Sequence, residues 1–319
     1  MNAKTIWLIA AASLILVGGI VFVCVMGALK WDFSRLATSK LQTNSHPVTE
    51  PFEDIRLKTD TARITFVLSE DESCLIECKE HENQKHTVKV EDGVLTVELV
   101  DTRRWYEYIS IGFSTPSITV SLPKRDYGAL FIESKTGEVM LSRELVFASM
   151  DIQNKTGSVT NLASAMGEVR IKTTTGHVEV EGISAGSLAL SVTTGRVRVT
   201  DVTCSGDASL YVSTGDASLT NMTCKSFSSN GDTGDILLTN LIAEESLSIE
   251  RDTGDVTLAG CDAAELFVTT DTGDVNGSLL TEKVFIAQSD TGRVEVPRTV
   301  TGGRCEITTD TGDIKISIQ

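Results

Sequence analysis

Ten aspartates stand where they could hold a cation. Asp232, Asp252, Asp271, Asp290 and Asp310 each lie two residues before a glycine, and Asp216, Asp235, Asp255, Asp274 and Asp313 each lie one residue after one. Calcium takes about six to eight oxygens at roughly 2.3–2.6 Å, and rows of Asp with backbone carbonyls can supply them. Calcium-binding β-rolls use repeated Asp turns in this way. The candidate calcium ladder is Asp232, Asp235, Asp252, Asp255, Asp271, Asp274, Asp310 and Asp313. A reading without a ligand competes with it. Asp before Thr-Gly closes a turn by accepting a backbone N–H two residues on. Lys135, Lys155, Thr174, Thr193 and Ser213 fill the first column in other copies, Arg293 interrupts the second, and the glycine-rich nonapeptide of calcium rolls is missing. These substitutions favour turns, with a calcium-binding repeat module as the alternative.

Catalytic chemistry has less to work with. His46, His81, His86 and His177 accompany no serine or cysteine in a recognisable nucleophile motif. Long parallel β-helices can carry polysaccharide-cleaving carboxylates, which makes a polysaccharide-active enzyme a further alternative. Here, however, the acids recur along the chain and do not gather at one point. Aromatic residues, the usual sugar platforms, make up 5% of the chain. The expectation is no catalytic residue and no cofactor. Arg103, Arg104, Trp105, Tyr106 and Tyr108 form one dense patch, either a packing loop or a recognition surface, since Trp, Tyr and Arg dominate binding hot spots. Of seven cysteines, Cys261 and Cys305 fall in apolar columns. Cys204 and Cys224 lie on neighbouring copies, and Cys74 and Cys78 lie four apart. None has paired CxxC spacing for zinc.

These residues are positioned by a repeat. A phrase reading KTGEV at Lys135 returns as TTGHV at Thr174, DTGDI at Asp232, DTGDV at Asp252 and DTGDI at Asp310. The glycines are Gly137, Gly157, Gly176, Gly195, Gly215, Gly234, Gly254, Gly273, Gly292 and Gly312, at gaps of 19 or 20. A fixed period of that size means stacked units that bury their apolar sides against one another. Two after the glycine come Val139, Val159, Val178, Val197, Ala217, Ile236, Val256, Val275, Val294 and Ile314, with a second apolar residue two further on in most copies. Five and seven before it come pairs such as Ile152 and Met150, or Val268 and Leu266. Apolar pairs two apart, rich in Val and Ile, are strands. The spacing predicts an all-β parallel β-solenoid (β-helix) of about ten 19–20-residue coils, roughly 48 Å long at about 4.8 Å per coil.

Residues 52–129 alternate like strands without the phrase, and a solenoid needs its first coil covered. They are expected to be a β-rich cap, continuous with the repeats of 130–319. Glu91-Asp92-Gly93 marks a hairpin turn within it. Upstream, residues 31–51 are polar and read as a stalk. From Ile6 to Leu29 no charge interrupts an apolar run, and about 24 helical residues span about 36 Å, enough to cross a bilayer. Residues 1–30 are therefore expected to be a single-pass transmembrane signal anchor. The run exceeds the roughly 7–15 residues of a signal-peptide core. Lys30, Arg35 and Lys40 after the span outnumber Lys4 before it, although large domains translocate regardless of flanking charge. The net charge of −16 argues against nucleic acid as a partner.

Phe52-Glu53-Asp54-Ile55, Ala62-Arg63-Ile64, Glu91 to Val97, Ile118 to Pro123 and the recurring Thr-Gly turns resemble a bacterial adhesin-like domain of unknown function, found in membrane-anchored β-strand-repeat proteins. The resemblance spans Phe52 to Gln319. It implies a β-solenoid, an envelope location and no established enzyme activity; the expectation is a non-enzymatic, membrane-anchored solenoid with its domain extracytoplasmic, in adhesion, scaffolding or envelope-stress sensing. It brings no catalytic residues. The last strand, Ile314 to Ile318, closes the sequence without a capping helix or charged tail. That predicts an open final coil, from Ile314 to Gln319, that pairs with a second copy or an envelope protein.

Overall fold

A computed structural model describes residues 3–31, 41–104 and 115–319. One helix, Ala3–Ala28, is long and apolar enough to cross a membrane. The remaining described chain is β-structure in a single hydrogen-bonded system. Each level of the stack has a strand leading into the Thr-Gly turn and one leaving it, as in Glu168–Thr175 followed by Val178–Glu181. Neighbouring levels pair in parallel and in register, Ile171 with Leu190 and Val180 with Val199. In the column two after the glycine, every residue but Val294 points inward as predicted. Val139, Val159, Val178, Val197, Ile236, Val256, Val275 and Ile314 are all buried. Each such side chain contributes about 1.5–3 kcal/mol relative to leaving it in water.

The turns stack as tightly as the strands. A Cβ on Gly234 would lie 2.2 Å from the Gly215 carbonyl oxygen, and Gly234 has φ +129°. The contact recurs from Gly137 to Gly312 at 1.8–2.2 Å, so each turn glycine leaves room for the backbone of the level beneath. Glycine is here because of this close approach as much as because of φ.

The cap is partly solenoid. Asp54–Thr61 and Arg63–Leu68 pair in parallel with Asp126–Thr136 and Val139–Leu141, so 54–68 is a full level, with Asp60-Thr61-Ala62 standing in for Asp-Thr-Gly. Beyond it, Val94–Asp101 and Ser117–Leu122 make another parallel level. With the ten Thr-Gly levels this gives twelve among the described residues, a rod of roughly 58 Å at about 4.8 Å per level. Only then does the direction change. Cys74–His81 and Gln84–Glu91 pair antiparallel with this outermost level, the second through the predicted turn, where Asp92 and Gly93 have φ +52° and +78°. Part of the expected stalk belongs here too. Leu41–Val48 is a strand, antiparallel to Cys74–His81, because its alternate residues Asn44, His46 and Val48 face the cap interior.

The far end corrects the expectation for the last coil. Gly303–Thr311 pairs with Val256–Thr272 on one side and with Lys283–Thr291 on the other. Ile314–Ile318 likewise lies beside Val275–Leu279, with Val294–Glu295 outside it. The last coil in sequence is therefore tucked between two levels, and the coil before it, 283–295, is outermost. Ile314 and Ile316 are buried, whereas Val294 in the same inward column is 40% exposed. A Gly-Gly pair lets the chain enter the gap. A Cβ on Gly303 would strike the Ala264 carbonyl at 1.7 Å, and one on Gly302 the Glu282 carbonyl at 1.8 Å.

Candidate functional site

The aspartates after the glycines form a ladder, but its partner is backbone. Asp255 donates its N–H to Asp235 Oδ1 at 2.9 Å and accepts the Asp274 N–H on its own Oδ1 at 2.8 Å. The same bond links Asp235 to Asp216, Asp313 to Asp274 and, at 2.8 Å, Arg293 to Asp313. His177 does the same work lower in the stack, accepting the Arg196 N–H on Nδ1. Arginines flank the run, Arg196 lying 3.8 Å from Asp216 and Arg293 3.9 Å from Asp313. Arg293 interrupts the column in sequence and ends it in space. The carboxylates after the glycines thus satisfy turn N–H groups of the neighbouring coil. The other column, Asp232, Asp252, Asp271, Asp290 and Asp310, is exposed, with Asp232 accepting from Ser213 and Asp290 from Gln288. Among the described residues these columns bring no three ligand atoms within cation-binding range. Asp255→Ala should cost about 0.5–1.5 kcal/mol, one exposed hydrogen bond. In thermal melts sodium should stabilise the domain as well as calcium at matched ionic strength.

Two further columns went unseen in the sequence. Three residues before the glycine, inward-facing polar side chains donate to turn-glycine carbonyls: Asn154 to Gly137 at 2.9 Å, Thr309 to Gly273 at 3.1 Å, Ser289 to Gly312 at 2.8 Å. Six after it, Gly182, Asp201, Asn221, Asn240 and Gly260 all have positive φ, between 51° and 65°. The restriction to Asp, Asn and Gly was the available signal, since these residues tolerate that region best. Asn240 donates to Asn221 at 3.0 Å and Asn221 to Asp201 at 2.8 Å, a second coil-to-coil ladder.

Chemistry-bearing groups do converge in the cap, at residues that no motif spacing marks. Cys78, Glu80 and His86 present Sγ, a carboxylate oxygen and a ring nitrogen all within 4.8 Å of one another, and all three are buried. The antiparallel hairpin positions them. Alternation along Cys74–His81 turns Cys78 and Glu80 inward, and the strand Gln84–Glu91 returns His86 beside them. Glu80 Oε2 accepts the His86 backbone N–H at 2.7 Å and lies 2.7 Å from His86 Nδ1, while Asn44 Nδ2 donates to Oε1 at 2.7 Å. His86 Nε2 lies 2.9 Å from the buried hydroxyl of Thr59. Burial, then the nearby Glu80, pushes the Cys78 thiol up to about 12. On the same face of the neighbouring strand, His46 Nε2 is buried without a hydrogen-bond partner among the described residues. The Thr59–His86–Glu80 chain has the order of a hydroxyl–imidazole–carboxylate relay. Thr59 is only 5% exposed, however, and acyl transfer needs a hydroxyl that substrate can reach.

The remaining expected residues separate. Arg103 forms an ion pair with Asp101 at 2.5 Å and Arg104 is exposed, while Trp105, Tyr106 and Tyr108 lie outside the described residues. Cys204, Cys224, Cys261 and Cys305 are buried free thiols.

The Toastrack DUF4097 family matches residues 52–211 and again residues 205–319. A search of curated proteins gives no match. Among solved structures, a "putative lipid binding protein" from Parabacteroides distasonis is 12% identical, with 88% of this chain and 98% of that chain covered and a TM-score of 0.49. A "putative adhesin" from the same organism is 13% identical at the same coverage, with a TM-score of 0.46. Another "putative adhesin", from Parabacteroides merdae, is 12% identical, covers 89% of this chain and 98% of that chain, and has a TM-score of 0.40. Two family matches that together run from the first solenoid strand to Gln319 leave one assignment: the chain belongs to the Toastrack DUF4097 family.

Proposed function

We propose that the chain is a membrane-anchored, non-enzymatic scaffold of the bacterial cell envelope that acts in adhesion. The observation that carries this is the rod itself. Its outward faces repeat with the coil, its ladders are consumed in coil-to-coil bonds, and the one tight cluster of reactive groups among the described residues is buried. Such a surface suits repeated, shallow contacts better than turnover. The helix Ala3–Ala28 supports the anchor, with apolar side chains exposed along most of its length. The test is labelling of intact cells with a membrane-impermeant amine reagent, followed by fractionation. The β-domain should be labelled from outside and stay with the membranes through a carbonate wash. Labelling only after lysis, or release by the wash, overturns the proposal.

The scaffold's contact is with a second copy, through the outermost coil. The strand Lys283–Thr291 is paired on one side only among the described residues. Its level leaves Val284, Ile286 and Val294 exposed and Phe285, Ala287 and Val296 half-buried. Val294–Glu295 is also too short to cover Ile314–Ile318, leaving a cleft of about 460 Å³ between Glu295, Val296, Lys315 and Ile316. Open edges with apolar neighbours pair readily. In sedimentation of the full chain in detergent, association should rise with concentration. Ile286→Lys with Val294→Lys, both at exposed positions, should abolish it. A monomer at every concentration, or association that survives the double variant, overturns this contact.

A further inference from the structure

The cap interior holds a ligand set that the scaffold role does not use. Sulfur, imidazole and carboxylate come together from two strands of one hairpin, with Cys78, Glu80 and His86 each almost fully buried. Their atoms lie within 4.8 Å of one another, and zinc, which holds sulfur at about 2.3 Å and nitrogen or oxygen at about 2.0–2.2 Å, spans at most about 4.5 Å, so loading needs at most a small inward shift of the three. We propose that Cys78, Glu80 and His86 bind one transition-metal ion, zinc in preference to calcium or magnesium, and that the ion locks the antiparallel cap onto the rod.

The donor set decides the class of metal. Thiolate and imidazole favour zinc and its neighbours, whereas calcium and magnesium want oxygen alone. The surroundings are those of a ligand shell. With its ring proton on Nε2, His86 donates to Thr59 Oγ1 at 2.9 Å and leaves the Nδ1 lone pair for the metal. Asn44 Nδ2 fixes Glu80 Oε1 at 2.7 Å, and Oε2, oriented by the His86 backbone N–H it accepts at 2.7 Å, keeps a second lone pair for the ion. Without the ion the ring proton lies between Nδ1 and Oε2, 2.7 Å apart; on loading the ring changes tautomer, that proton passing to Nε2 through exchange with solvent, and the ion takes its place. The Cys78 proton leaves to solvent as the sulfur binds, so loading releases protons. Thr59 lies on the level 54–68, Asn44 on the strand Leu41–Val48, and the three ligands on the hairpin that follows both in sequence. An ion at this point therefore ties together three separate pieces of the cap. A shell built without the metal would hold the same bonds but would show no preference for a thiophilic ion.

The test uses the full chain in detergent, purified with chelator and then dialysed against zinc or cobalt(II). The expected result is one equivalent of metal per chain by mass spectrometry, and a cobalt spectrum with a thiolate charge-transfer band and intense tetrahedral bands. Cys78→Ser should lose the band and weaken zinc binding by about 100-fold. Thr59→Val, acting only through His86, should weaken it by about 10-fold while keeping the band. Cys305→Ser, at a buried thiol far along the rod, should change neither. Zinc should raise the melting temperature of the wild-type chain, and magnesium should not. If Cys78→Ser does not fold, the wild-type cobalt spectrum decides alone. Less than a tenth of an equivalent bound, a cobalt spectrum without the thiolate band, or an unaltered band in folded Cys78→Ser each overturns the site.

Discussion

Val256→Asp should destabilise the rod by on the order of 4 kcal/mol or more. Val256 is fully buried, stacked in register between Ile236 and Val275. A carboxylate there meets apolar side chains above and below and has no hydrogen-bond donor to turn to, so its burial goes uncompensated. Total stabilities of single domains are only about 5–15 kcal/mol. Because each level contacts only its neighbours, the loss should break cooperativity at this level, and two transitions should replace one in urea. The neighbouring Asp255→Ala sets the scale. Its side chain is exposed and its loss removes one coil-to-coil bond, so the two variants one residue apart should differ by more than about 2 kcal/mol. Equal midpoints in denaturant would show the inward and outward assignments to be wrong.

Gly234→Ala should be comparably severe, although it adds a single methyl group. The added Cβ would lie 2.2 Å from the Gly215 carbonyl oxygen and 2.5 Å from its carbon, both backbone atoms that cannot rotate away. The φ of +129° adds strain of about 1–3 kcal/mol for any side chain. The turn must open, and opening it breaks the Gly234 N–H bond to Thr253 O on the next level at 2.9 Å. We expect a loss of about 3 kcal/mol or more, read as a fall in the thermal midpoint. Gly93→Ala, at the hairpin turn with nothing within 4 Å of its added Cβ, should cost only the strain of its positive φ. If the two alanines cost the same, close approach between turns is not what selects glycine.

Much of this architecture was legible because stacking writes itself into sequence columns. The period, the inward Val and Ile and the Asp92-Gly93 turn all reflect local constraints repeated or isolated in one chain. Coil order was not legible. The phrases around Gly292 and Gly312 are equivalent as units, and nothing in a 19- or 20-residue gap says which stacks on Gly273. The decision lies in Gly302 and Gly303, which alone fit the chain between two existing backbones. The Asp60-Thr61-Ala62 level escaped notice because alanine replaces the marker. Cys78, Glu80 and His86 have no motif spacing, because a hairpin and not a helix or loop brings them together. The strand Leu41–Val48 looked like a polar stalk because it faces a polar pocket. Its inward residues are Asn44 and His46 as well as Val48.

The stacking order fixes which end of the rod is open, and amide hydrogen exchange on the full chain reads it directly. Cys305 to Thr309 lie in a strand paired on both sides, and they should exchange only with global unfolding. Val284 to Ala287, in the outermost strand, should exchange orders of magnitude sooner, although they come earlier in the chain. Exchange that is faster at Cys305 to Thr309 than at Val284 to Ala287 would contradict the tucked coil, and with it the proposal that 283–295 is the assembling end.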